Sequence, residues 1–404
     1  MKTYGKNLLA VLLSCLLAFC APCLFFAAGD GADRPEPGQM PVTVETLNPE
    51  TGLAVNAKAY ALMDLNTGTL LAAENENELL YPASVTKVMT LLLVCEAIRD
   101  GRLSLDATLT CSDTAAAKGG SQIWLEPGEQ MTVRELLKAA FVYSANDACC
   151  LLGEAVAGSE EAFVNEMNRK AEALGMTNTH FDNCTGLDDD TTTHLTTAYD
   201  VALMSRALMR FDMVRDYTGI WMDELRGGKT QIVNTNRLIR YYKGATGLKT
   251  GTTGKAGCCI SATAERDGLG LVAVVLGAGN SNDRFNGARA LLDHGFANYE
   301  IYRPEVPAER LPEVAVSHGE EKSVALLPEQ LREQLIRKGQ GSAIEMRIEA
   351  AETVEAPVEA GQKLGTVRFV SDGEELLSCD LIAASAVPKL GFWTALTRIL
   401  AHVF

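Results

Sequence analysis

Tyr81-Pro82-Ala83-Ser84-Val85-Thr86-Lys87-Val88-Met89-Thr90-Leu91-Leu92-Leu93-Val94-Cys95-Glu96-Ala97-Ile98-Arg99-Asp100-Gly101 is the stretch on which the fold turns. From Ser84 to Asp100 it is almost wholly apolar, and Gly101 stops it. A helix apolar on every side belongs in the middle of a core. Its first turn carries Ser84 and Lys87, the one Ser-x-x-Lys of the chain. Three residues apart on a helix, the hydroxyl and the amine share a face and reach each other. The helix N-terminus adds free N–H groups and a positive dipole end. A serine so placed can give its proton to a neutral lysine and attack an acyl carbon. About one Ser-x-x-Lys is expected by chance in a chain this long. On these residues alone, an N-cap serine followed by a solvated lysine is the competing reading.

Outward from this helix the pattern changes twice. Towards the N-terminus, Ala59 to Leu71 reads as a β-hairpin turning at Asn66-Thr67-Gly68. Towards the C-terminus, Thr132-Val133-Arg134-Glu135 is a capping box, and a helix from Asp147 to Ala157 stops at Gly158. Between Ile232 and Leu276 the periodicity shortens to strands, notably Cys258 to Ala264 and Gly268 to Val275. Helices in the middle with strands at both ends predict an α/β sandwich whose sheet is assembled from the two ends of the domain.

Beyond Pro304 four short strands are expected, at Ser323 to Leu327, Ala343 to Ala350, Lys363 to Val370 and Glu375 to Ala383. Asp372-Gly373 forms a hairpin turn, and the whole reads as a small all-β domain. After Pro388, Leu390, Phe392, Trp393, Leu396, Ile399, Leu400, Val403 and Phe404 line one side of a helix. It is too short to span a bilayer and suits the membrane interface; docking on the β-domain is the other reading. At the opposite end, Lys2 and Lys6 precede an apolar run from Leu8 to Ala28 and then small residues. That order is a secretory signal peptide, with a retained anchor as the alternative. The expected divisions are a leader over 1–29, a linker over 30–53, a principal domain over 54–304, a β-rich domain over 305–387 and a terminal amphipathic helix over 388–404.

The formal charge of -16 and pI near 4.9 exclude nucleic acid as a partner, since phosphates require a basic face. An acidic surface also makes any membrane attachment apolar rather than polybasic. Of the 11 cysteines, Cys15, Cys20 and Cys23 lie in the leader. The pairs Cys149-Cys150 and Cys258-Cys259 cannot easily bridge within themselves, and no Cys/His ligand spacing occurs. The cysteines read mainly as small buried apolar residues, with a disulfide framework or metal site as the minor alternative.

Two more polar clusters interrupt the apolar pattern. Ser144-Ala145-Asn146 falls in the break between two helices, where a short polar segment can face a cleft; an ordinary turn with Asn146 or Asp147 as N-cap is the alternative. Lys249-Thr250-Gly251 opens the strand-like stretch after Gly247, with Thr252 following. Its lysine and threonine suit a carboxylate, and its glycine allows close backbone approach.

Ser-x-x-Lys, Ser-x-Asn and Lys-Thr-Gly in this order form the signature of penicillin-binding proteins and class A β-lactamases. Tyr81-Pro82-Ala83-Ser84, Ser144-Ala145-Asn146-Asp147-Ala148, Ala173-Leu174-Gly175-Met176, Thr185-Gly186-Leu187-Asp188, Thr197-Ala198-Tyr199-Asp200 and Asp283-Arg284-Phe285-Asn286 narrow the resemblance. The chain is similar to the low-molecular-mass serine D-alanyl-D-alanine carboxypeptidases over most of its length. It departs in having Ala145 where many relatives have glycine.

The resemblance implies a β-lactamase/transpeptidase-like sandwich with a helical subdomain, followed by the β-rich domain and terminal helix. It implies an exported hydrolase acting on peptidoglycan stem peptides and acylated by β-lactam antibiotics, with no cofactor and no metal. Ser84 is then the nucleophile and Lys87 its base, with a pKa lowered by burial and by the charge of Lys249. Ser144 relays a proton, and Asn146 positions Lys87 and the substrate amide. Lys249, Thr250, Gly251, Thr252 and Arg284 bind substrate, the backbone of Ser84 and Thr252 forming the oxyanion hole and Arg284 helping to hold the terminal carboxylate. A class A-type β-lactamase would need Glu-x-x-Leu-Asn between the second and third motifs, and residues 146–249 contain none. A peptidoglycan endopeptidase would share the acyl-enzyme. An inactive wall-peptide-binding scaffold is the non-enzymatic alternative.

Overall fold

The computed structural model describes residues 53–403. The expected leader and nearly all of the expected linker lie outside them. The central sheet runs β2 (Leu70–Glu74), β1 (Ala59–Asp64), β5 (Leu269–Ala278), β4 (Gly257–Arg266) and β3 (Ala245–Thr253), all antiparallel. The N-terminal hairpin thus joins three strands that follow it by most of the domain, as the distribution of helices and strands predicts. The period of two sorts side chains between two cores. Ala59, Ala61, Met63, Val272, Val274 and Leu276 face the helical side. Leu62, Leu271, Ala273 and Val275 face α5 (Ser281–Asn298), against Ala288, Leu291 and Leu292.

The β1–β2 turn is closed by Asp64, whose Oδ2 accepts from the Thr67 amide and hydroxyl, each at 2.6 Å. Arg206 braces the same turn by donating to Leu65 O at 2.9 Å.

On the helical side, α1 (Lys87–Arg99) is surrounded by α2 (Asn146–Ala157), α3 (Glu160–Ala173) and α4 (Ala198–Leu208). Residues Val88 to Ala97 of α1 are buried without exception, which is why its sequence lacks a polar face. The regular helix begins later than the apolar run: Ser84 lies in a 3₁₀ turn, Ala83–Thr86, and Ala83 has φ +48°. A left-handed alanine cannot open an α-helix. Two glycines crowd this turn: a Cβ on Gly186 would lie 1.8 Å from Ala83 O, and one on Gly251 would lie 2.8 Å from Ser84 N. The expected capping box is present, with Thr132 Oγ1 accepting from Glu135 N at 3.2 Å. Gly158 ends α2 at φ +87°.

β6 (Tyr299–Tyr302) leaves α5 and pairs with β10 (Gln334–Arg337). The all-β region contains β7 (Val314–Ser317), β8 (Ser323–Val324), β9 (Leu326–Pro328), β11 (Glu345–Ala350), β12 (Thr353–Glu355), β13 (Lys363–Ser371) and β14 (Glu374–Ala383). One sheet has the order β8-β7-β12 and the other β9-β14-β13-β11, around a core that includes Val314, Val367, Phe369 and Leu381. The run expected as one strand from Ser323 to Leu327 breaks at Ala325, because its halves pair in different sheets. Asp372 and Gly373, both at positive φ, make the expected hairpin turn.

α6 (Phe392–Val403) closes the chain. Its approach is fixed by a bridge between Lys389 and Gly319 and by Leu390 N donating to His318 O at 2.8 Å. Among the described residues no helix is long and apolar enough to cross a membrane.

Candidate active site

Ser84 and Lys87 meet at the base of a cleft between the helical side and the edge strand β3. Lys87 Nζ lies 2.7 Å from Ser84 Oγ and donates to Thr185 O at 2.8 Å. Lys87 is fully buried, and loss of water around its ammonium lowers its pKa to about 8. The Thr185 carbonyl is held by its own loop: Asn183 Oδ1 accepts from Thr185 N, Thr185 Oγ1 and Gly186 N. Thr86, the N-cap residue immediately before Lys87, is fixed by His194. The Nδ1 of His194 accepts from Asp182 N at 3.0 Å, so Nε2 carries the hydrogen directed at Thr86 Oγ1, 2.8 Å away. Burial holds that ring neutral, with a pKa lowered to about 4.

Ser144 stands at the join of a single π turn, Ala139–Tyr143, and α2, with φ +67°. Asn146 Nδ2 donates to Gly119 O at 2.6 Å, and Asn146 N donates to Ser121 O at 2.7 Å. Asn146 Oδ1 is buried with no hydrogen-bond partner. Asp147 does not cap the helix by its side chain; it accepts from Ile123 N, Leu125 N and Ala148 N. The segment 119–125 is therefore clamped to the Ser-Ala-Asn motif from both sides. Lys87 takes its two contacts from Ser84 and Thr185, and none from Asn146.

The third cluster lies on β3, an edge of the sheet. Lys249 is buried and donates to Thr250 O at 3.0 Å. Burial first, and the charge of Lys87 second, hold its ammonium well below the ordinary lysine range. Burial is thus the first cause of the lowered pKa at both lysines, and two ammoniums this close disfavour each other's charge. Thr250 Oγ1 donates to Thr235 Oγ1 at 2.7 Å. Arg284, buried on α5, sends Nη1 to Gly251 O and Thr252 Oγ1, both at 2.9 Å. Its guanidinium thus fastens the backbone of the Lys-Thr-Gly strand from beneath. Phe285 lies under it, 4.9 Å from the guanidinium carbon, and Arg237 stands over the same ring.

All three motifs predicted from the sequence therefore converge, together with Arg284. Sequence reasoning did not single out Asp147 as a clamp, nor Asn183, His194 or Thr235. The resemblance had already marked Thr185 and Asp188; the latter takes Thr253 Oγ1 at 2.5 Å, tying its loop to β3. Chemically, the arrangement offers a nucleophilic hydroxyl beside an amine that is easily made neutral, an unpaired buried carbonyl oxygen, and a cationic strand edge.

Residues 43–280 match the family model of the D-alanyl-D-alanine carboxypeptidases, peptidase S11, and residues 307–389 match that of the C-terminal domain of penicillin-binding protein 5. The chain is 39% identical to the D-alanyl-D-alanine carboxypeptidase DacF of Bacillus subtilis (strain 168), covering 86% of this chain and 90% of that protein. It is 34% identical to DacC of Escherichia coli (strain K12), covering 84% and 86%. Among solved structures, penicillin-binding protein 5 of Haemophilus influenzae superposes with a TM-score of 0.69 at 29% identity, over 83% of this chain and 99% of that one. The ampicillin-bound form of penicillin-binding protein D2 of Listeria monocytogenes superposes with a TM-score of 0.56 at 33% identity, over 60% of this chain and 99% of that one. With a family model matched over more than half its length and relatives matched nearly end to end, the chain belongs to the D-alanyl-D-alanine carboxypeptidase family, peptidase S11.

Proposed function

We propose that this serine D-alanyl-D-alanine carboxypeptidase removes the terminal D-Ala of peptidoglycan stem pentapeptides through an acyl-enzyme on Ser84. The observation that carries the assignment is the 2.7 Å contact between Ser84 Oγ and a wholly buried Lys87 whose pKa is lowered to about 8. A neutral Lys87 takes the hydroxyl proton as Oγ bonds to the carbonyl carbon of the penultimate D-Ala. The resulting oxyanion lies at the N–H groups of Ser84 and Thr252, where Gly251 lets β3 come close. Ser144 relays a proton to the departing D-Ala amine. Asn146 Oδ1, unpaired in the cleft, accepts the substrate amide hydrogen. Lys249 and Thr250 face the terminal carboxylate, and Arg284 holds their strand and adds its charge. An arriving carboxylate restores the proton on Lys249, which in turn favours a neutral Lys87. Water then cleaves the ester. β-Lactams acylate the same serine; the ampicillin-bound relative supports that reading.

In this proposal the leader exports the chain, and the enzyme works at the outer face of the cytoplasmic membrane, in the wall or in the periplasm. Exposed Phe392, Trp393 and Leu400 on α6 support attachment to the membrane surface. Ser84→Ala abolishes both D-Ala release and covalent labelling by a fluorescent penicillin. A variant that is still labelled means that another residue is the nucleophile.

A further inference from the structure

The eight described cysteines are all free, and three of them, Cys149, Cys150 and Cys184, lie about the first turns of α2. Cys150 lies one helical turn beyond Asn146, and Cys184 directly precedes Thr185, whose carbonyl takes Lys87. The two sulfurs and a carboxylate oxygen of Glu160 lie within 4.8 Å of one another. The Cys184 thiol donates to Glu160 Oε1 at 3.3 Å, and the Cys150 thiol to Glu154 Oε1 at 3.9 Å. Cys149, the neighbour of Cys150, is buried within the electrostatic reach of Lys87 and Lys249. Two thiols and a carboxylate could also suit a thiophilic cation. Glu160 is already engaged by the Lys118 ammonium, which would repel such a cation.

We propose that Cys150 and Cys184 close to a disulfide under oxidising conditions, stapling the helix that presents Asn146 to the loop that receives Lys87. That the chain meets such conditions rests on the export proposed above. The oxidant is a disulfide, either of a thiol–disulfide oxidoreductase or oxidised glutathione. One cysteine thiolate attacks it, forming a mixed disulfide and releasing one thiol; the second thiolate displaces the other. Two protons leave the pair, and one external disulfide becomes two thiols. Both sulfurs are buried, and the neighbouring Cys150 thiol, then burial, then the Glu160 carboxylate push the Cys184 thiol up, so exchange takes place before α2 packs or when it opens. The bridge encloses the chain from 150 to 184, a loop long enough to raise Tm by roughly 5 °C or more.

The test uses the full chain from two sources: protein exported by its own leader, and protein made in the cytoplasm, purified reduced and then refolded with oxidised glutathione. Intact mass after denaturation, with and without reductant, and peptide mapping are read in both. A product about 2 Da lighter than the reduced chain, with a Cys150–Cys184 cross-linked peptide, supports the pair. Cys111→Ser and Cys149→Ser retain the cross-link, and Cys184→Ser loses it together with the Tm gain. If the refolded protein keeps both thiols alkylatable, carries a glutathione adduct on either, or retains zinc in native mass spectrometry, the proposal is overturned. A cross-link in the refolded protein with free thiols in the exported sample supports the pair and counts against the export reading instead.

Discussion

The catalytic cleft and the C-terminal β-domain solve the problem of stability in opposite ways. In the β-domain the strands alternate inward and outward, and only apolar side chains such as Val314, Val367 and Phe369 fill the centre. Of the buried polar residues among those described, Ser371 alone lies beyond residue 304. Ion pairs such as Arg347–Glu345 and Arg368–Glu375 stay at the surface, where each contributes little. In the cleft, Lys87, Lys249, Arg284, Asn146 and Asp147 are all buried. Burying charge is costly unless each group is hydrogen-bonded. Here the main chain supplies the partners: Thr185 O, Thr250 O, Gly251 O and Gly119 O each accept from one of these side chains. The site thus depends on loop and strand backbones far apart in sequence, and the β-domain makes no such demand.

After Ser84→Ala, the largest effect concerns proton occupancy. With Lys87 at about 8, the rate of penicillin acylation rises roughly fiftyfold from pH 6 to pH 8 and levels above that, because only the neutral amine accepts the Ser84 proton. A flat profile over that range removes Lys87 as the base. Next, Arg284→Ala weakens turnover of a pentapeptide by one to two decades, the worth of a charge-assisted hydrogen bond at about 1.5–3 kcal/mol. An analogue with an amidated C-terminus is affected less. Equal losses on both substrates would reduce Arg284 to a strand support without electrostatic reach to the carboxylate.

His194 gives a smaller effect, on stability. Its folded pKa is lowered to about 4 from an ordinary 6.5, so the unfolded chain binds the proton first as pH falls. Its contribution is complete above pH 6.5 and is lost by up to about 3 kcal/mol as pH drops through 4. Urea denaturation of wild type and His194→Gln at pH 7 and pH 4.5 checks this; identical pH dependence in the two rules it out. The smallest effect belongs to the far end of the molecule. Removing residues 391–404, while sparing the Lys389–Gly319 bridge, leaves hydrolysis of small peptides within about twofold and abolishes binding to phospholipid vesicles. Unfolding of the truncated protein would instead make α6 a packing element.

Much of the cleft was legible because its chemistry is written in short local words. Ser84-x-x-Lys87, Ser144-x-Asn146 and Lys249-Thr250-Gly251 each place their groups by the geometry of one turn or strand. The sheet was legible through its period and the position of its strands in the chain. What escaped was held through space. Asp147 looks like a helix cap in sequence and instead secures Ile123 and Leu125. His194 lies more than a hundred residues from Thr86, its partner. Ala83's left-handed backbone lies where Gly186 and Gly251, distant in sequence, leave no room for a Cβ of their own, so no local propensity announces the 3₁₀ turn at Ser84. The break at Ala325 has the same origin, since pairing partners, not strand propensity, decide where a strand ends.

The sheet's connectivity also sets a timetable. Ala61 pairs with Val274 across β1 and β5, with roughly 210 residues of chain between them. A polypeptide synthesised N-terminus first delivers the β1–β2 hairpin long before the strand that flanks it. Until Leu269–Ala278 arrives, one edge of β1 has no partner and the helices have no sheet to rest upon. Ser84 and Lys87 emerge early too, but Lys249 and the strand that lets Gly251 lie against Ser84 come late. A half-made chain therefore carries Ser84 and Lys87 without the strand that lies against them, and the site is assembled in a single step, near the end of synthesis.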